Sequence, residues 1–149
     1  MFYYRVVNKA KFEFDDIVVK NIFKVISKRV AKKQSGNINI VFLKSKEVQE
    51  LNKNYRKIDK TTDVLSFHYF HNFENFKKND TIGEIILNEE KIFSQSKEYK
   101  ISVEKEFYNL VIHSVLHILG FDHEKEEDYE VMYKLESEIW EDIFKEKKI

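Results

Sequence analysis

Apolar residues along this chain recur at two spacings, and the spacings divide it into strands and helices. Phe2 to Val7 is aromatic and β-branched and predicts a first strand. The period then changes. Val18, Ile22, Val25, Ile26 and Val30 form one stripe of a helix that Asp15 or Asp16 can cap; Lys20, Lys24 and Lys28 line another face, and Gly36 stops the segment. Asn37 to Leu43 turns apolar on both faces, as a central strand does. Ser45 caps a second helix, with Glu47 in its first turn and Val48, Leu51 and Tyr55 inward. Arg56 to Asp63 is a polar loop and Val64 to Phe70 a third strand. His71 to Asp80 is a loop rich in Asn, Lys and Asp, into which Phe73 and Phe76 tuck. Gly83 to Asn88 is a fourth strand, and Glu89 to Tyr99 a short helix with Ile92 and Phe93 inward. Ser102 caps a long apolar helix, with Glu104 and Glu106 at its positive end. Residues 124–149 form a last amphipathic helix, with Val131, Met132, Leu135, Ile139 and Trp140 inward and its acids on a solvated face. With no repeat or linker, residues 1–149 are expected to form one α+β domain, a small mixed four-stranded sheet packed with about five helices.

Composition narrows the setting. Hydrophobic residues are 42% and charged residues 35%, an ordinary soluble balance. There is no cysteine, which excludes disulfides and thiolate zinc sites and leaves the redox compartment open. The N-terminus lacks a basic start followed by an apolar run. The longest uncharged run, Phe107 to Phe121, holds two histidines and falls short of the roughly 20 residues a membrane span needs. A buried helix, no membrane and a cytoplasmic location are expected. Net charge is zero but unevenly placed: residues 1–75 carry 15 Lys and Arg against 8 Asp and Glu, and residues 76–149 carry 11 against 18. Such asymmetry permits a polyanion on the basic face without establishing one.

Chemistry concentrates in His113-Ser114-Val115-Leu116-His117-Ile118-Leu119-Gly120-Phe121-Asp122-His123, which holds three of the five histidines. His113 and His117 stand one turn apart on one helix face. Gly120 can adopt the left-handed backbone that ends a helix, so the chain can bring His123 back toward them. Burying unpaired imidazoles in so apolar a helix is costly, and a metal removes that cost. Three neutral imidazoles with an open fourth position suit zinc. The spacing matches the ligands of the zinc-peptidase pattern H-E-x-x-H-x-x-G-x-x-H, so a zincin-like metal site is expected. Ser114 stands where that pattern has its glutamate base, which counts against a metallopeptidase. His68 and His71 read as exposed loop residues.

A second stretch runs from Leu51 to Phe67 through Asn52, Tyr55-Arg56, Asp59 and Thr62-Asp63-Val64-Leu65-Ser66. With Gly83-Glu84-Ile85 and the histidine motif, it resembles the YbeY endoribonuclease family, whose members carry L-N-x-x-Y-R-x-x-D-x-x-T-D-V-L-S-F, then G-[DE]-I, then H-x-x-x-H-x-x-G-[YF]-D-H. The chain departs from the family at Thr61 and His68, where prolines are usual, and at Ser114, where glycine is usual. Phe121 stands where tyrosine is common. None of these is a ligand position. The resemblance implies a metal-dependent endoribonuclease that prefers single strands. It implies a role in ribosomal RNA maturation, at the 3′ end of the small-subunit RNA, and in ribosome quality control. Its expected partners are single-stranded and ribosomal RNA and the ribosome or its small subunit, not DNA. It implies one zinc ion per chain on His113, His117 and His123, with Arg56 needed for activity. A guanidinium can grip a phosphate through two parallel hydrogen bonds. Asp63, Asp122 and Glu124 are all near enough in sequence to serve as general base, and Asp122 could instead orient an imidazole. The competing readings are a zinc metallopeptidase and a non-catalytic ribosome-assembly factor with a structural metal.

Overall fold

The structure, a computed structural model, describes residues 1–148. Four strands form one mixed sheet: β1 (Tyr3–Val6), β2 (Asn37–Leu43), β3 (Val64–His68) and β4 (Thr81–Asn88). Their order is β1-β2-β4-β3, with β1, β2 and β4 parallel and β3 antiparallel to β4. β2 is therefore internal, as its two apolar faces require, and β3 is an edge strand. Around the sheet lie α1 (Asp16–Arg29), α2 (Ser45–Arg56), α3 (Glu89–Tyr99), α4 (Val103–Ile118) and α5 (Glu126–Phe144). This is the α+β architecture expected. No helix among the described residues is long and apolar enough to cross a membrane.

Strand alternation splits the interior in two. Ile38, Ile40 and Phe42 face the main core with α1, α4 and α5, while Val41 turns to the other side and meets Val48 of α2, Leu65 and Ile86. A register shift at Asn37/Ile38 against β4 lets Ile82 join Ile85 and Leu87 in the main core. Gly83 follows that shift, where a Cβ would fall 2.5 Å from the Phe67 carbonyl; only a glycine lets β3 lie this close. α4 is the central rod. Phe107, Val111, Val115 and Leu116 are fully buried, each contributing about 1.5–3 kcal/mol by leaving water. Arg29 ties α1 to α5, paired through two nitrogens with Asp142 at 2.7 and 2.9 Å and bonded to Glu138.

Several expectations change. The last helix, expected over residues 124–149, spans Glu126–Phe144, and Ile149 lies outside the described residues. α1 buries Val19 and Phe23 with Ile22 and Ile26, leaving Val18 and Val25 only partly covered, because it packs against α4 and α5 as well as the sheet. α2 begins at Ser45, with Lys44 as the cap, and the Ser45 hydroxyl donates to Thr61 and accepts from Asn88 instead. Tyr55 points outward, 69% exposed, with the Phe67 ring edge-on to its own. In α5, Val131 is exposed; the buried stripe is Met132, Glu136, Ile139 and Trp140. As expected, Phe73 is buried and Phe76 partly so.

Candidate metal centre and its cleft

α4 buries most of its surface, and the narrow face left uncovered carries His113 and His117. Ser102 caps its start, accepting from the Lys105 N–H at 3.2 Å. Its end depends on Gly120, at φ +101°, whose N–H reaches the His117 carbonyl while the Phe121 N–H reaches Leu116. That reversal brings His123 back over the helix. The three ring centroids form a nearly equilateral triangle, 5.4, 5.4 and 5.5 Å apart. One nitrogen from each ring lies within 4.8 Å of the others, so the group could hold a metal ion.

Two features tune the cup. Burial first, then the neighbouring His113 and His123 rings, push the His117 imidazole below its ordinary value. A neutral ring keeps the lone pair that a metal needs. Glu136 of α5, 8% exposed, places Oε2 3.5 Å from His113 Nδ1 and 3.3 Å from Lys148 Nζ. Burial alone would raise its carboxyl, but His113 and Lys148 outweigh that and hold it below the usual range. A carboxylate on one ring nitrogen keeps the proton there and leaves the other nitrogen free to bind metal. Glu136 therefore does not belong to the solvated face expected for the acids of α5. Its signal in the sequence is its step with Met132 and Trp140, one turn on either side along the buried stripe.

A cleft of about 550 Å³ opens over the histidines. One wall is the edge strand β3 with the residues before it, and Arg56 and Glu124 also line it. Arg56 is the last residue of α2, where Lys57 turns left-handed at φ 61°. It is exposed, and no ion pair among the described residues uses it. The motif residues around it shape the loop. The Asn52 amide donates to the Lys60 carbonyl at 2.8 Å, the Thr61 hydroxyl to the Ser45 carbonyl at 2.8 Å, and the Asn88 amide to Thr61 and Thr62. These bonds hold the loop that lacks the family's proline. Of the acids considered as a base, Asp63 and Glu124 line the cleft. Asp122 does not; its Oδ1 accepts the Glu124 N–H at 3.3 Å, a local turn contact. Ser114 is fully buried, its Oγ without a partner among the described residues, so no carboxylate stands where the peptidase pattern needs one. His68 ends β3 and His71 lies in the loop beyond it, both exposed.

The chain's similarities to known proteins point the same way. Residues 6–143 match the family model described as Endoribonuclease YbeY. An Endoribonuclease YbeY from Caldicellulosiruptor saccharolyticus is 42% identical over 117 residues, 72% of this chain and 73% of that one. One from Aliarcobacter butzleri is 38% identical over 140 residues, 89% of this chain and 93% of that one. Among solved structures, the solution structure of TM1509 from Thermotoga maritima superposes with a TM-score of 0.56 at 26% identity, covering 93% of this chain and 90% of that one.

Proposed function

We infer that this chain, which belongs to the Endoribonuclease YbeY family, is a zinc-dependent endoribonuclease acting as a single domain on single-stranded RNA in ribosomal RNA maturation, in the cytoplasm and in contact with the ribosome. The observation that carries this is the convergence of three imidazoles on the floor of a cleft that Arg56 also lines. His113, His117 and His123 would hold the ion: neutral nitrogen donors without thiolate or carboxylate suit zinc. Bound there, it supplies Lewis-acid chemistry toward a phosphate oxygen and acidifies water.

The remaining work falls to the chain's own residues. The planar guanidinium fork of Arg56 can hold two phosphate oxygens. Charge grows on those oxygens as the phosphorus becomes pentavalent, so a fixed guanidinium stabilises the transition state more than the ground state. The α2–β3 loop, tied down by Asn52, Thr61 and Asn88, limits movement of the wall opposite the histidines. Asp63 and Glu124 line the cleft, and this supports them as the candidates to take a proton from the attacking water.

The test is cleavage of a labelled single-stranded RNA by protein of known metal content, with chelator and after zinc is restored. Cleavage lost in chelator and regained with zinc is expected. An intact RNA in the presence of zinc-loaded protein would instead favour the assembly factor with a structural metal.

A further inference from the structure

The wall of the metal cleft opposite the histidines is a sheet edge. A strand lines a space with alternate residues when it offers a face, and with consecutive residues when it offers its edge. Val64, Leu65, Ser66 and Phe67 all line the cleft, and β3 is the last strand of the sheet. The ladder with β4 determines which backbone groups meet the cleft. The Asn88 N–H reaches the Asp63 carbonyl and the Tyr69 N–H the Ile82 carbonyl, both at 2.9 Å, and Val64 to His68 pair with Leu87 to Gly83 in register between them. In an antiparallel pair every second residue gives both backbone groups to its partner. Those residues are Asp63, Leu65, Phe67 and Tyr69. Val64, Ser66 and His68 therefore turn their N–H and C=O away from β4, and of these three only Val64 and Ser66 line the cleft.

An unpaired edge is normally blunted by lysine, proline or a covering segment. The outward positions of β3 in the cleft carry Val64 and Ser66, which do neither, and no fifth strand covers them among the described residues. Donors and acceptors thus alternate along one wall of the metal site with nothing in the chain to meet them. Both a polypeptide and a nucleic acid strand can meet such a row, and charge separates the two. Arg56 and a divalent ion on three neutral imidazoles bring three positive charges to the cleft, against two negative ones on Asp63 and Glu124. That balance favours a polyanion.

We propose that the free edge of β3 holds the RNA strand beside the cut and distinguishes it from DNA, the Ser66 N–H donating to a phosphate oxygen and the outward carbonyls of Val64 and Ser66 accepting from ribose 2′-hydroxyls. An N–H bond to a phosphate is charge-assisted and fixes the position of the strand over the histidines. A backbone carbonyl can only accept. The sugar of RNA offers it a donor in the 2′-hydroxyl and the sugar of DNA offers none. No base edge is touched, so this wall selects the kind of nucleic acid without selecting its sequence.

The inference rests on the nuclease function proposed above. The experiment is amide exchange, residue by residue, of zinc-loaded protein alone, with a short single-stranded RNA carrying non-hydrolysable linkages, and with DNA of the same sequence. Bound RNA should slow exchange of the Ser66 N–H about 10-fold or more, as one hydrogen bond to a charged group does. The Leu65 N–H, already in the ladder, should change less than about threefold. DNA should bind roughly 10-fold more weakly. Ser66→Pro removes the outward N–H and leaves the ladder with β4 intact, a place where edge strands tolerate proline; it should lower RNA affinity about 10-fold. His68→Pro makes the same change beyond the cleft and should keep the parent's affinity. Should Ser66→Pro fail to fold, the exchange of the parent protein decides. A cleavable RNA cut by the protein while the Ser66 N–H exchanges as in the free protein, or RNA and DNA bound equally, overturns the edge contact and leaves the nuclease standing. Protection of Ser66 by an extended peptide and not by RNA also overturns it and gives the edge to a polypeptide. RNA neither cut nor bound removes the nuclease and the contact together.

Discussion

Replacing Glu136 by glutamine tests whether α5 helps to build the metal centre. Glu136 reaches His113 Nδ1 at 3.5 Å from a position 8% exposed, so its charge is little screened. Glutamine keeps the volume and the stripe with Met132 and Trp140 but removes the charge that favours a protonated Nδ1. Loss of such a partner typically weakens metal binding about 10–100-fold. At saturating zinc that is about 1.4–2.7 kcal/mol less stabilisation by mass action. For a chain of this size, about 2–4 °C per kcal/mol gives a melting temperature lower by roughly 3–11 °C in zinc. In chelator the effect should be smaller. The desolvation of a buried carboxylate disappears with the charge, and the ion pair with Lys148 disappears too, so the two changes offset. The assay is competition for zinc against a chromophoric chelator, with melting curves in zinc and in chelator. Unchanged zinc affinity, or the same loss of melting temperature in both solutions, would refute the role assigned to Glu136.

Other outcomes follow from the same geometry. His117→Ala should remove the metal's contribution, about 2.7 kcal/mol at a hundredfold excess over the dissociation constant, so its melting temperature should fall more in zinc than in chelator. Arg56→Lys should keep fold, metal and most RNA binding yet lose about 10²–10³ in single-turnover cleavage, and Arg56→Glu should weaken RNA binding as well; near-normal cleavage by Arg56→Glu would take Arg56 out of the site. Burial raises the Glu106 carboxyl above its ordinary 4.5 despite the Gln95 and Asn109 bonds, so the fold favours its protonated form. The stability this adds is complete below the ordinary value and lost as pH rises through the raised one. Glu106→Gln should therefore gain melting temperature over the parent at pH 8 relative to pH 4, both measured in chelator; a difference independent of pH would show that Glu106 titrates as it does in the unfolded chain.

Much of the molecule is determined locally and is legible in the chain. The metal cup is one such part: a helix of 3.6 residues per turn sets His113 over His117, and Gly120, at φ +101°, reverses the chain to return His123. Strand β2 is internal because Ile38 to Leu43 has no face to give to water. The Ser102 cap of α4 is equally local. What the tertiary structure alone decides is which side of each element faces which neighbour. An apolar stripe on a helix is broad, so α1 could bury Val18 and Val25 or Val19 and Phe23, and packing against α4 and α5 selects the second pair. Tyr55 is outward although it stands at an apolar step of α2, because the buried residues of that helix are Val48 and Asn52. Glu136 and Glu106 look like ordinary helix acids in sequence. Their environments come from α5 laid beside His113 and from α3 bringing Gln95 to the face of α4, contacts across 23 and 11 residues that no local period encodes.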